Sequence, residues 1–136
     1  MPARLSDILT RTPPISGEMT TRAVFNKFLS DPDLSAVAIV EGNKPVGIVT
    51  RQHLITQLAS PDGAAGLPNK PISLIMEKNF VTVDAKRTVA AVAQRAAEVK
   101  PEAFIQGVVT VHNGKYAGLV SPSSILTALA KENAAR

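Results

Sequence analysis

The chain has 136 residues, 45% of them hydrophobic, and a net charge of +4 from 15 basic and 11 acidic side chains. That length allows one ordinary domain, or two intimately packed halves, with a real core; the absence of Cys excludes disulfides and thiolate chemistry. The basic residues are scattered, only Lys86 and Arg87 being adjacent, and aromatics make up 4% of the chain, so a solvated basic surface is expected rather than a nucleic-acid partner.

The opening Met-Pro-Ala-Arg-Leu-Ser-Asp carries charge where a secretory signal would place its apolar region, and no run approaches membrane-spanning length. A cytoplasmic protein without membrane contact is expected. Leu5–Thr10 reads as a short amphipathic helical lead-in, closed by Pro13-Pro14. Ile15-Ser16 is a brief strand candidate, and Thr20–Leu29 has helical periodicity until Ser30-Asp-Pro-Asp33 breaks it. A second strand, Ala36–Val40, ends at the turn Glu41-Gly-Asn-Lys-Pro45. The stretch Val46–Ala59 then holds a short buried strand, a hydroxyl at Thr50 and a helix. Ser60–Asn69 is rich in Pro and Gly and reads as a linker. Its Asp62-Gly-Ala-Ala-Gly66 lacks the lysine and the strand–loop–helix context of a phosphate-binding loop.

After the linker the chain repeats itself. Ile72–Met76, following Pro71, is a second lead-in, offset by 67 positions from Leu5. Phe80–Val83 is a strand and Thr88–Ala97 a helix, aligned with the first helix at an offset of 68 (Thr20 to Thr88). Val89, Val92, Ala93, Ala96 and Val99 form its core-facing stripe. Lys100-Pro-Glu102 breaks that helix, Gly107–Val111 is a strand, and Asn113-Gly114 is a strong hairpin signal. Ala117–Ala130 repeats Val46–Ala59: Gly47 matches Gly118, Val49 matches Val120 and Thr56 matches Thr127, all at an offset of 71. A period this long marks a duplicated small unit. The growth from 68 to 71 puts three extra residues between the second copy's first helix and the strand that follows.

Thr50 and Ser121 stand where a strand ends and a helix begins. They are read either as N-caps and nothing else or as hydroxyls beside backbone N–H groups that can face an anion or a sugar. Arg51 could meet a phosphate or remain a solvated side chain, and His53 sits on the first helical turn. Pro122 removes a backbone donor at the position equivalent to Arg51, so the two copies should differ here.

Laid out as lead-in helix, β, α, β, β, α, twice, over roughly residues 4–59 and 71–131, the chain resembles a tandem pair of CBS domains, a Bateman module. The resemblance implies an α/β fold of two pseudo-symmetric β-α-β-β-α repeats packed through their sheets. The first repeat with its lead-in would take residues 1–60, the linker 61–70, and the second repeat with a C-terminal tail 71–136. It implies two clefts holding adenine nucleotides, a disc-shaped homodimer and a regulatory role. The site pattern it implies is Gly, two apolar residues, Thr or Ser, two variable residues, then an Asp that accepts from ribose hydroxyls.

Here the first copy supplies Gly47, Thr50 and His53, and the second Gly118, Ser121 and Ser124. With Arg51, and with Ile15 and Val81 from the first strand of each copy, these make up the expected ligand-binding set. AMP, ADP and ATP are the ligands the resemblance suggests. Both copies lack the carboxylate, and losing such a charge-assisted bond costs roughly 1.5–3 kcal/mol, about tenfold to over a hundredfold in affinity. The run Lys70–Met76 and the hairpin Asn113–Gly118 also look similar to CBS pairs fused to bacterial cyclic-di-GMP signalling domains, which hints at a signalling partner.

An enzyme reading has little support. His53 and His112 are the only imidazoles, no Ser or Asp stands at a motif spacing from them, and no His/Asp/Glu cluster suggests a metal. Two readings remain: a regulatory module that binds a small anionic ligand, and a ligand-free dimerisation scaffold. For the dimer the expected surface is the pair of helices 54–59 and 125–130, with Leu54, Ile55, Leu58, Ile125, Leu126 and Leu129.

Overall fold

The structure is a computed structural model that describes residues 2–60, 66–96, 98, 104 and 106–134. Its elements in chain order are α1 (Leu5–Ile8), β1 (Ile15–Ser16), α2 (Thr21–Ser30), β2 (Ala36–Glu41), β3 (Lys44–Thr50), α3 (Arg51–Ala59), β4 (Val81–Asp84), α4 (Val89–Ala96), β5 (Val108–His112), β6 (Lys115–Val120) and α5 (Pro122–Ala134). Short 3-10 turns lie at Leu67–Asn69 and Ile72–Leu74. The strands form two three-stranded sheets, ordered β1-β2-β3 and β4-β5-β6. In each sheet the first strand runs parallel to the second, and the second and third make an antiparallel hairpin. The fold is mixed α/β, with the expected β-α-β-β-α order in both copies.

The duplication holds down to single hydrogen bonds. Thr20 and Thr88 cap their helices alike, each hydroxyl accepting from the amide three residues on (Ala23 and Ala91, both 3.2 Å). Both hairpins close in two residues with positive φ: Gly42 (57°) and Asn43 (69°), then Asn113 (55°) and Gly114 (79°). That left-handed pair is the turn that matches strand twist, and Gly and Asn reach it with least strain in either order. A register shift falls after Ile39 in one hairpin and after Thr110 in the other, leaving Val46 and Ala117 unmatched.

The chain divides into two compact units, Pro13–Lys78 and Met1–Thr12 with Asn79–Arg136. The 13–78 unit is cored by Val24 and Phe28 of α2, Val37 and Ile39 of β2, Val49 and Leu54. The other is cored by Val83, Val89, Val92, Val108, Val120 and Ile125. Of the stripe expected on α4, Val89 and Val92 are buried and Ala93 half-buried, while the side chain of Ala96 and all of Val99 lie outside the described residues. So do residues 61–65 of the linker, with most of the Asp62–Gly66 stretch, and the Lys100–Glu102 break where the three-residue insertion was placed.

The lead-ins pack with the opposite copy in the chain. In the unit built on the second repeat, Leu5 N donates to Arg87 O (3.0 Å), Ser6 N to Ala85 O (2.9 Å), and Val89 N to Ala3 O (2.8 Å). In the unit built on the first, Ile72 N donates to Met19 O (2.8 Å), Ser73 N to Gly17 O (3.1 Å), and Thr21 N to Lys70 O (2.9 Å). These are the same three bonds, moved by the repeat offsets. Leu5 and Ile72 are each 0% exposed, and burying a side chain of that size contributes about 1.5–3 kcal/mol.

Candidate ligand-binding site

In the 13–78 unit the apolar run of β3 ends at Thr50, whose extended backbone (φ −94°, ψ 155°) lets its hydroxyl turn onto the first turn of α3. Thr50 Oγ1 accepts from His53 N at 3.1 Å, so it is an N-cap. The glycine three residues before it is needed for packing. A Cβ on Gly47 would stand 2.5 Å from Met76 Sδ and 2.8 Å from its Cγ. Met76 can lie there because residue 77 pairs with β3: Ile48 N donates to Glu77 O (3.0 Å) and Glu77 N to Ile48 O (2.8 Å).

His53, in the position of the family's carboxylate, reaches the same segment. Its Nε2 lies 2.8 Å from Ile75 O and 3.5 Å from Glu77 Oε1. A carbonyl only accepts, so Nε2 carries the proton in this bond. Arg51 turns to the loop between α2 and β2. Its Nε and Nη2 donate to Leu34 O (3.1 and 2.7 Å), Nη2 donates to Asp31 O (2.6 Å), and the guanidinium carbon stands 5.1 Å from the Phe28 ring centroid. The expected phosphate contact from Arg51 therefore competes with three bonds the side chain already makes.

In the other unit Ser121 follows the last residue of β6, and Pro122 occupies the first helical position of α5. Ser121 Oγ accepts from Ser124 N at 3.2 Å, the same cap as Thr50 provides. It also bonds the hydroxyls of Ser124 (2.9 Å) and Ser123 (3.1 Å). Gly118 again makes room for a lead-in, since its Cβ would fall 2.7 Å from Thr10 O and 2.9 Å from Leu9 Cδ1. Thr10 and Leu119 exchange both backbone bonds (2.8 and 2.9 Å). Ser124 does not repeat the reach of His53. Here the lead-in is held by Tyr116, whose hydroxyl donates to Thr12 O at 2.7 Å while burial pushes its pKa up to about 12.

Of the expected set, Thr50 and His53 come together in one unit and Ser121 and Ser124 in the other. Ile15 and Val81 lie on the parallel first strand of their sheets, buried in the core of their own units. Among the described residues no group of His, Cys, Asp and Glu could hold a metal ion, and no helix is long and apolar enough to cross a membrane.

A model of the CBS domain family matches residues 5–60 and 72–131. The chain is a tandem pair of CBS domains. No curated protein sequence matches it. Solved structures do. A Vibrio cholerae protein assigned to acetoin utilization, AcuB, is 18% identical with a TM-score of 0.75, over 98% of this chain and 95% of that one. The CBS domain pair of protein MJ0100, in complex with 5′-methylthioadenosine and S-adenosyl-L-methionine, is 23% identical with a TM-score of 0.73, over 97% and 99%. The Arabidopsis thaliana CBS-pair protein CBSX2 is 14% identical with a TM-score of 0.72, over 98% and 99%. At these identities the likeness is one of fold.

Sequence reasoning on this CBS pair missed Glu77 and Tyr116. The 67-residue offset that pairs the two lead-ins also pairs Thr10 with Glu77, and following it past residue 76 would have singled out Glu77. Nothing local to Tyr116 pointed to Thr12.

Proposed function

We propose that this CBS pair is a regulatory, non-catalytic module that binds a small anionic ligand of the adenine-nucleotide kind. The observation that carries this reading is the matched placement of Thr50 and Ser121. Each is half-buried at a strand-to-helix junction, beside the backbone N–H groups of a helix that favours negative charge at its start. The similar MJ0100 pair supports the adenine part of this reading alone, since both ligands in that complex carry an adenosyl group and neither carries a phosphate. The net charge of +4 adds a general attraction for anions. With His53 and Ser124 in place of carboxylates the ribose is held weakly, so phosphate contacts lead. Thr50, Ser121 and the two helix starts carry them, because Arg51 would first have to leave the carbonyls of Asp31 and Leu34.

Calorimetry with ATP, ADP, AMP, adenosine, S-adenosyl-L-methionine and 5′-methylthioadenosine tests this on wild type, Thr50→Ala, Ser121→Ala and His53→Asp. ATP or ADP should bind more tightly than AMP, adenosine hardly at all, and added salt should weaken binding. Adenosine binding as tightly as ATP, or Thr50→Ala leaving ATP affinity unchanged, would sink the phosphate-led model. Binding of the two adenosyl compounds without ATP would keep the nucleoside and discard the phosphate.

A specific observation favours a second reading, a homodimerising scaffold for a signalling partner. Ile55 and Leu126, at equivalent positions of the two repeats, are 52% and 67% exposed. No heat with any of the six compounds at millimolar concentration would decide for the scaffold.

A further inference from the structure

Both repeats place a lead-in segment along the free edge of the hairpin's last strand, over a glycine, with two backbone bonds. Only one of them ties that segment to the signature itself. In the 13–78 unit His53 Nε2 reaches Ile75 O at 2.8 Å, and Glu77 Oε1 lies 3.5 Å from the same nitrogen. In the other unit the equivalent residue, Ser124, bonds the hydroxyl of Ser121, and Tyr116 does the holding from β6. So His53 has exchanged the signature's acceptor for a donor, and a backbone carbonyl of the chain already occupies it.

We infer that His53 is a latch. Its Nε2–H holds residues 75–77 against β3, and the first repeat's signature is closed on itself until that bond is given up. A group that takes the imidazole must compete with Ile75 O, and its entry frees the segment that continues into residue 79, where the other unit begins. Release by a ligand rests on the function proposed above. The latch does not, and it is tested with no ligand present.

The readout is amide hydrogen exchange at Ile48 and Glu77, the two N–H groups of the bridge that the latch supports. Thr10 and Leu119, the matching amides of the other unit, serve as internal controls. His53→Ala removes the donor and should speed exchange at Ile48 and Glu77 by roughly five- to tenfold, about what one hydrogen bond is worth. Thr10 and Leu119 should stay at wild-type rates. His53→Gln keeps an N–H donor at similar reach and should restore rates to within about twofold of wild type. Unchanged exchange at Ile48 and Glu77 in His53→Ala would overturn the latch. So would equal acceleration at Thr10 and Leu119, which would mean a general loss of stability, or a Gln variant that behaves like Ala.

Discussion

Tyr116 is the single tyrosine of a chain without tryptophan, so the near-ultraviolet absorbance of its phenolate can be followed alone. Its hydroxyl donates to Thr12 O, and burial raises its pKa from 10.0 to about 12. The sign follows: the folded protein keeps the proton where the unfolded chain loses it. The contribution to stability is complete below pH 10 and is lost as pH rises toward about 12. A spectrophotometric titration should show a midpoint near 12, and urea unfolding should weaken across that window. Tyr116→Phe should abolish the alkaline loss and cost about 0.5–1.5 kcal/mol at neutral pH. A midpoint at the ordinary value would show that the phenol is solvated. The two signature glycines give a second test at this scale. Gly118→Ala puts a methyl 2.7 Å from the backbone oxygen of Thr10, which can move only with its chain, at roughly 1–3 kcal/mol. Gly47→Ala meets Met76 at Sδ (2.5 Å), Cγ (2.8 Å) and Cβ (3.1 Å), of which only the first two can swing aside, so it should destabilise as well but cost less in a urea melt. The reverse order would contradict the packing described for the lead-ins.

The last helix of each repeat divides its apolar residues between two tasks. Leu54 and Ile125, 1% and 8% exposed, belong to the cores, and Leu58 and Leu129 are half-buried. Only Ile55 and Leu126 of the expected surplus face outward. The double substitution Ile55→Lys with Leu126→Lys should therefore leave the melting temperature nearly unchanged, since exposed sites contribute little to the core. On the homodimer reading it should convert a dimer to a monomer by sedimentation at tens of micromolar. Wild-type protein that sediments as a monomer would end that reading. The hairpins were legible in advance, because a two-residue turn of Gly and Asn between apolar runs states its own geometry. The lead-ins were legible as helical turns and as a repeated pair. Their partners were not, because Leu5 and Ile72 present the same kind of apolar side chain and nothing in either segment distinguishes one sheet from the other.

At the scale of the molecule, each compact unit is completed by the lead-in that precedes the other repeat in the chain. Deleting residues 1–12 should therefore damage the unit of residues 79–136, which lies far away in sequence. The loss of Leu5 alone predicts about 1.5–3 kcal/mol. Exchange at Leu119 and Tyr116 should rise steeply while Ile48 and Glu77 keep their protection. A deletion that instead exposed Ile48 would mean the lead-in serves its neighbour in the chain.

The sequence by itself determined the duplication, the β-α-β-β-α order, the two turns and the two hydroxyl caps. Each of these is encoded within a few residues, by alternation, by a cap three positions from its amide or by positive-φ residues, and each is stated twice. The tertiary structure alone decided which copy each lead-in completes, that Arg51 is engaged by Asp31 and Leu34, and that His53 is held by Ile75. The Arg51 and His53 contacts join residues 17 to 22 positions apart, and the bond from Arg4 Nη1 to Lys86 O joins residues 82 apart. At that separation side-chain type says that a donor needs an acceptor, and only packing says which one it meets.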